Sequence, residues 1–206
     1  LSVMNDIQTL LRRVFSTSNQ FTIAVSGTGS AGMEAAVVNV VEPGDAVIVG
    51  INGVFGTRLA AIVERCGGKA IRVEVPWGQV IEPDTIAAAL RQSSPVKAVA
   101  LVHAETSTGA WQALEPFSTL CRQYNALLIV DAVTSLGGHP FEMAKWGVDA
   151  CYSCTQKCVG APPGLAPVAF APSALERRVP CRSFYFDVAL LEEYWRNRKY
   201  HHTISA

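Results

Sequence analysis

Short apolar segments alternate with longer helical patterns along most of this 206-residue chain, and no other feature of the sequence restricts the fold as much. The apolar segments, which we expect to be strands, are residues 22–25, 46–49, 70–75, 98–103, 127–130 and 150–153. The helical patterns between them are residues 31–41, 54–66, 83–92 and 116–124. Strands that are apolar throughout need cover on both faces, and connecting helices provide it. The sequence therefore predicts an α/β fold, with a mainly parallel sheet between two layers of helices.

The charge composition argues against several classes of function. The chain has 17 basic and 17 acidic side chains, so its formal net charge of zero creates no general attraction for nucleic acid or anionic lipid. Charged residues make up only 17% of the chain, below the roughly 25% usual in soluble domains. This low fraction predicts that part of the surface is buried in a homo-oligomer.

No apolar run approaches the roughly 20 residues of a membrane span, and no export signal opens the chain. We therefore expect a soluble, cytoplasmic protein with no nucleic-acid and no membrane partner. The chain nevertheless begins at Leu1 within a helical pattern and stops at Ala206 with no closing element, which predicts a piece of a longer protein.

The six cysteines are expected to be reduced thiols, because the chain is too long to depend on disulfides and shows no export signal. Cys151, Cys154 and Cys158 form a C-x2-C-x3-C run that could converge on a metal ion or an iron–sulfur cluster. No second pair at that spacing completes a ligand set. Small, partly buried thiols are the favoured interpretation, and no metal site is predicted.

Ligands of open α/β sheets bind beyond the carboxyl ends of the strands, so polar residues there are the first candidates for a site. Ser26-Gly27-Thr28-Gly29-Ser30 follows the first strand and opens a helix. Its glycines, hydroxyls and free helical N–H groups favour an anion such as phosphate, although an ordinary capped helix is the alternative. Asp131 follows an apolar strand directly, where a carboxylate is costly unless it meets a cation or donors. It is either a functional anion or a helix cap.

Two further loops follow strands. Lys157 lies among small polar residues after the strand at 150–153. A lysine there can lose its charge by desolvation and act as a nucleophile, although most lysines are solvated surface charges. In the loop 103–109, Thr106 or Ser107 could donate to a ligand oxygen or could serve in capping and turns, and His103 is better explained as a satisfied strand-end histidine.

A phosphate site, a buried carboxylate and a reactive lysine at successive strand ends are the three contacts that pyridoxal 5′-phosphate requires. The lysine binds the cofactor as a Schiff base, the carboxylate keeps the pyridine nitrogen protonated, and the first loop anchors the phosphate. Because the phosphate loop, the carboxylate and the lysine occur together, a functional role is more strongly indicated for each of them.

The same loops resemble those of the alanine–glyoxylate (serine–pyruvate) aminotransferases, class V of the fold-type I pyridoxal-phosphate enzymes. The resemblance rests on six segments in the family's order and covers essentially the whole chain. These segments are residues 26–30, 52–56, 103–109, 131–138, 152–157 and 200–203.

The resemblance implies a role for individual residues. Lys157 resembles the Schiff-base lysine, which also moves the substrate α-proton, and Asp131 resembles the partner of the pyridine nitrogen. Val133 resembles the residue beneath the cofactor ring, and Phe55 takes the place of a tryptophan that stacks over the ring in many relatives. Further cofactor contacts are implied for Thr28, Gly29, Ser30, Thr106, Thr155 and Gln156, and for Tyr200 and Thr203 toward the neighbouring subunit.

The family resemblance also implies a domain organisation and a reaction. Residues 1–180 correspond to the cofactor-binding large domain, and residues 181–206 begin the connection to a small domain that supplies the arginine for the substrate carboxylate. The expected enzyme is a homodimer with a shared active site that moves the amino group of L-alanine or L-serine to glyoxylate or pyruvate.

Three alternatives stay open at this point. The first is ureidoglycine–glyoxylate transfer, and the second is a lyase or cysteine desulfurase reaction on the same fold. Nothing in the sequence places a cysteine on a mobile loop, as a desulfurase needs. The third is a non-catalytic fragment that keeps the fold but not the chemistry.

Overall fold

The computed structural model describes residues 2–197, the side chain of Asn197 excepted. The helices are α1 (Ser2–Phe15), α2 (Gly29–Val38), α3 (Val54–Arg65), α4 (Pro83–Ser93), α5 (Glu115–Gln123), α6 (Pro172–Glu176) and α7 (Val188–Asn197). The strands are β1 (Phe21–Ser26), β2 (Ala46–Ile51), β3 (Lys69–Glu74), β4 (Ala98–Val102), β5 (Ala104–Glu105), β6 (Ala110–Trp111), β7 (Leu127–Asp131), β8 (Ala150–Tyr152) and β9 (Leu165–Phe170).

Seven strands form one sheet in the order β1-β9-β8-β7-β4-β2-β3, and β5 and β6 form a separate ribbon. The pairs β2–β3, β2–β4, β4–β7 and β7–β8 are parallel. The predicted α/β fold with a mainly parallel sheet is therefore confirmed. Because β1 runs in the same direction as these strands, the carboxyl ends of β1, β2, β4, β7 and β8 meet at one edge.

Strand β9 was not expected from the sequence. It lies between β1 and β8 and runs antiparallel to both. Pro167 in its middle argues against a central strand, because proline has no N–H for the ladder. The strand is tolerated because its backbone still accepts: the Pro167 carbonyl receives a 2.8 Å hydrogen bond from the Ser153 N–H.

The core has two parts, one on each face of the sheet. Val47 and Val49 of β2 pack on the face that α2 and α3 cover, together with Leu59 of α3. Ile48, between them in the strand, packs on the opposite face with Leu90 of α4. Successive side chains of a strand point to opposite faces, so a strand that is apolar at every position fills both parts of the core.

The described cysteines are all free thiols. Cys121, Cys151 and Cys154 are buried, whereas Cys158 is exposed. Within residues 2–197, no group of three or more histidine, cysteine, aspartate or glutamate side chains is arranged to hold a metal ion. Over the same residues, no helix combines the length and the apolar character needed to cross a bilayer.

Candidate active site

A cavity of about 180 Å³ opens at the edge where the parallel strands end. Eight of the residues predicted for the site line it: Thr28, Gly29, Ser30, Phe55, Asp131, Val133, Gln156 and Lys157. Its remaining lining residues are Met33, Arg58 and Cys154. The loops after β1, β2, β7 and β8 therefore converge, as their positions at strand ends predicted. A larger groove of about 600 Å³ lies beside Leu127 and Asp149, at the opposite end of these strands, and contains none of the predicted residues.

The start of helix α2 forms one wall of the cavity. Gly27 turns the chain into the helix with a φ of 128°, in the region that favours glycine. Thr28 is the N-cap residue, yet its hydroxyl makes no capping hydrogen bond. The first N–H groups of a helix have no partner within the helix, so this end can receive an anion. A β-carbon on Gly29 would lie 2.9 Å from Cγ2 of Val133, which shows how closely the helix approaches that residue.

Asp131 is the buried carboxylate of the cavity, with 2% of its surface exposed. Its Oδ1 accepts a 2.8 Å hydrogen bond from the Val133 N–H, whereas Oδ2 has no partner of hydrogen-bond geometry among the described residues. Burial raises the pKa of this carboxyl to about 6, despite the opposing effects of the Val133 N–H, the nearby Tyr152 hydroxyl and the charge of Arg58. A buried carboxylate oxygen without a partner is ready to accept a hydrogen bond from a cationic ligand atom.

Lys157 lies in the turn after β8, and its side chain is exposed at the cavity. The desolvation that we expected for its amine is therefore not provided by the residues that the structure describes. The turn is anchored by Ser153, whose hydroxyl donates to the Ala132 carbonyl at 3.0 Å. This bond connects the loop of the lysine to the loop of the aspartate.

Thr106 and Thr155 do not line the cavity. The hydroxyl of Thr155 lies 2.6 Å from the Pro162 carbonyl oxygen and 3.2 Å from that of Leu165, so it holds the chain before β9. The hydroxyl of Thr106 is hydrogen-bonded to that of Thr134. Contact of these two residues with a cofactor stays a prediction, and Tyr200 and Thr203 lie outside the described residues.

Ser107 takes the capping role that the sequence left open. Its hydroxyl accepts a 3.0 Å hydrogen bond from the Val54 N–H at the start of α3. Glu105 completes the cap, because its Oε2 accepts from the N–H groups of Phe55 at 3.0 Å and Gly56 at 3.2 Å. The loop after β4 therefore fixes the helix that carries Phe55 into the cavity.

Four residues of this region were not predicted from the sequence: Arg58, Met33, Cys154 and Glu105. A signal for Arg58 was present, since it follows Phe55 by three positions and shares its face of α3. Its Nη1 donates to Ser30 Oγ at 3.1 Å, and its guanidinium carbon lies 4.9 Å from the centre of the Phe55 ring. The contacts of Glu105 with Phe55 and Gly56 had no local signal, because those residues are about fifty positions away.

His103 is a satisfied buried histidine, as expected, and does not line the cavity. Trp111 Nε1 donates to its Nε2 at 3.1 Å, so the ring proton lies on Nδ1 and is shared with Ser135 Oγ at 2.8 Å. Burial, with a smaller contribution from His139, lowers the pKa of His103 to about 4.

The family model for class V aminotransferases matches residues 1–196. The chain belongs to the class V aminotransferase family. It is 38% identical to an alanine–glyoxylate aminotransferase of Drosophila melanogaster, over all of this chain and 54% of that relative. It is 36% identical to an (S)-ureidoglycine–glyoxylate transaminase of Bacillus subtilis, over 99% of this chain and 54% of that protein. The chain therefore spans about half the length of these class V relatives.

Solved structures agree with this assignment to class V. The crystal structure of an alanine–glyoxylate aminotransferase from Nostoc sp. superposes with a TM-score of 0.95 and 47% identity, and the match covers 98% of this chain and 55% of that one. The mainly parallel sheet and the loops at its carboxyl edge are thus shared with this class V aminotransferase.

Proposed function

We propose that this chain is the cofactor-binding part of a pyridoxal-phosphate-dependent aminotransferase that moves the amino group of L-alanine or L-serine to glyoxylate or pyruvate. The observation that carries the proposal is the single cavity that contains Lys157, Asp131 and the start of helix α2. The similarity to alanine–glyoxylate aminotransferases over the whole of this chain supports alanine as donor and glyoxylate as acceptor.

The residues of the cavity fit pyridoxal 5′-phosphate. The unpartnered Oδ2 of Asp131 suits a protonated pyridine nitrogen, and the open N-terminus of α2 suits a phosphate. Phe55 and Val133 provide apolar surface for the two faces of an aromatic ring. When bound, this cofactor supplies a carbonyl group for the substrate amine and a ring that withdraws electrons from the substrate α-carbon.

Each residue then has a defined task. Lys157 Nζ would hold the cofactor between reactions; once free, its amine would accept the proton of the substrate α-carbon and deliver it to the former aldehyde carbon of the cofactor. Asp131 would keep the proton on the ring nitrogen, because a carboxylate beside a pyridine nitrogen stabilises its protonated form. Thr28, Gly29, Ser30 and Gln156 hold the phosphate so that the reacting atoms stay near Lys157.

The active enzyme is proposed to be a homodimer, in which Tyr200 and Thr203 complete the phosphate site of the partner subunit. Residues 1–180 form the large domain of each subunit, and residues 181–206 lead toward a small domain. A second subunit and a small domain would also cover Lys157, whose side chain is exposed in this chain alone.

The test uses the full-length enzyme and its Lys157→Ala variant, each mixed with pyridoxal 5′-phosphate. We expect visible absorption from the bound cofactor in the wild type, and borohydride reduction should attach the cofactor to the peptide that contains Lys157. A wild-type enzyme whose cofactor is not trapped on Lys157 would contradict the proposal. Loss of transamination in Lys157→Ala, with cofactor still bound non-covalently, is the expected companion result.

Ureidoglycine–glyoxylate transfer is the second candidate, because the Bacillus subtilis enzyme with that activity is nearly as similar to this chain as the alanine–glyoxylate enzymes are. Steady-state rates with L-alanine, L-serine and (S)-ureidoglycine as donors, with glyoxylate as the common acceptor, distinguish the two. The donor with the highest kcat/KM identifies the function.

A further inference from the structure

Arg58 presents a positive charge at the cavity without a carboxylate partner. Its Nη1 donates to Ser30 Oγ at 3.1 Å, and this is its one side-chain hydrogen bond within residues 2–197. The guanidinium also lies over the Phe55 ring, 4.9 Å from the ring centre. A guanidinium has five N–H donors and is always charged, so most of its donors remain available to a ligand.

Its two contacts place this charge beside the phosphate wall. Ser30 is the second residue of α2, and both it and its neighbour Gly29 line the cavity. Phe55 and Arg58 share a face of α3 because three positions separate them. The arginine therefore connects α3 to the start of α2. Its positive charge also acts on the cavity, because it lowers the pKa of Asp131.

The chemistry of the cavity selects a ligand with two different ends. The N-terminus of α2, the hydroxyls of Thr28 and Ser30, and the Arg58 guanidinium all favour an anion. The unpartnered Oδ2 of Asp131, which belongs to a residue with 2% of its surface exposed, favours a cationic nitrogen. A planar guanidinium can bind two oxygens of a phosphate at once, which a lysine cannot do.

We propose that Arg58 is a phosphate-binding residue of the cofactor pocket and makes the site selective for pyridoxal 5′-phosphate over pyridoxal. The proposal rests on the proposed function and adds to it a residue and a basis for ligand selectivity. The phosphate dianion binds the N–H donors of Arg58 that Ser30 leaves free, while Phe55 and the Ser30 hydroxyl hold the guanidinium in place.

The experiment compares dissociation constants of the two vitamers for the full-length enzyme and its Arg58 variants, by fluorescence or absorbance titration. Arg58→Met is expected to weaken pyridoxal-phosphate binding by about tenfold or more, the size of one charge-assisted hydrogen bond. Pyridoxal affinity is expected to stay within about twofold, because pyridoxal has no phosphate to lose a contact. Arg58→Lys keeps the charge but not the planar fork, so it should lose less affinity for pyridoxal 5′-phosphate than Arg58→Met. It replaces Arg58→Met in the comparison if that variant does not fold.

Arg65→Met is the matched control, since Arg65 lies on the same helix and, among residues 2–197, donates only to the Ala61 carbonyl of that helix, 3.4 Å away. Its affinities for both vitamers should equal those of the wild type. Inorganic phosphate should compete with the cofactor in the wild type and compete more weakly in Arg58→Met.

Three outcomes overturn the proposal. Equal losses for pyridoxal 5′-phosphate and pyridoxal would mean that Arg58 only holds Phe55 and α3 in position. Unchanged cofactor affinity with a raised KM for the amino acid would assign the arginine to a substrate carboxylate instead. A wild-type enzyme that binds neither vitamer would overturn the proposed function as well, and this last result is distinguishable because it appears without any substitution.

Discussion

Glu105 and Phe55 are joined by a 3.0 Å hydrogen bond between the glutamate Oε2 and the phenylalanine N–H, across fifty positions of sequence. Glu105 has only 1% of its surface exposed. Its other oxygen, Oε1, accepts from the Ser107 N–H at 3.1 Å and from the Ser107 hydroxyl at 2.6 Å. One buried carboxylate thus satisfies the start of α3 and fixes the aromatic ring that faces the cavity.

Replacement of the Glu105 carboxylate should therefore destabilise the start of α3, which carries Phe55. Glu105→Ala leaves the N–H groups of Phe55 and Gly56 unpaired in a buried place, so we expect the free energy of unfolding to fall by about 2 kcal/mol or more. Glu64→Ala, on helix α3, removes an exposed ion pair with Arg72, and we expect the free energy of unfolding to change by less than about 1 kcal/mol. Denaturant unfolding of both variants measures the difference. Equal losses would contradict the capping role.

Asp131 should make the ligand-free protein less stable at neutral pH. Its pKa is raised from 3.8 to about 6, chiefly by burial, so the folded chain holds this proton more tightly than the unfolded chain. The contribution to stability is therefore present below about pH 4 and is lost as the pH rises through about 6. Asp131→Asn cannot ionise and avoids this loss.

We accordingly expect the free energy of unfolding of ligand-free Asp131→Asn at neutral pH to be higher than that of the wild type by on the order of 2 kcal/mol. The difference should vanish in acid. Unfolding curves across this pH range measure it, and Asp84→Asn, at an exposed position of α4, controls for the loss of a carboxylate. A destabilised Asp131→Asn at neutral pH would show that Asp131 has a cationic partner in the ligand-free chain. With pyridoxal 5′-phosphate the order should reverse, because the variant loses the anion for the ring nitrogen.

Gly29 should be required for the depth of the cavity rather than for the helix. A β-carbon at this position would lie 2.9 Å from Val133 Cγ2, so the side chain of Val133, which lines the cavity, would have to move. Gly29→Ala is expected to weaken cofactor binding by about tenfold, a cost typical of modest overpacking. The double variant with Val133→Ala should recover most of the affinity in the same titration. If the double variant does not recover affinity, the loss in Gly29→Ala does not arise from contact with Val133.

His103 should stay neutral well below the pH at which an ordinary histidine is protonated. Its pKa is lowered from 6.5 to about 4, mainly by burial. Since the unfolded chain takes up this proton first, the stabilising contribution is present above about pH 6.5 and is lost as the pH falls toward about 4. Nitrogen-15 NMR of the ring should show the proton on Nδ1 at pH values between these limits. A ring that titrates near pH 6.5 would contradict the buried, Trp111-bonded state.

The main features of the fold could be predicted from the sequence because they depend on local patterns. Apolar runs between helical patterns identify strands covered on both faces, and Asp131 and Lys157 could be selected because each follows such a strand. Strand β9 could not be predicted in this way. Pro167 suggests an edge or an interruption, and only pairing with β1 on one side and β8 on the other makes β9 a central strand.

The site was predicted where a residue stands at a strand end and missed where its role depends on a distant partner. The sequence places Arg58 on the same helix face as Phe55 but does not show what else it contacts. What distinguishes it is the combination of the Phe55 ring below it, the Ser30 hydroxyl beside it and the lack of a carboxylate within salt-bridge distance among the described residues. Thr155 shows a contact that the sequence did not predict, since its hydroxyl lies within hydrogen-bond distance of two backbone carbonyls. The cofactor contact that the family resemblance implies for it stays a prediction.

The sequence by itself determined the class of fold, the sheet edge at which the candidate site lies and the residue types available there, because strand and helix patterns and strand-end positions are properties of neighbouring residues. Only the tertiary structure decided which loops meet. The order β8-β7-β4-β2 in the sheet places the loops of Lys157, Asp131, Glu105 and Phe55 next to one another. That order arises from packing between segments far apart in the chain. It therefore sets which carboxylate caps a helix, which carboxylate oxygen has no partner among the described residues, and which arginine lies at the cavity.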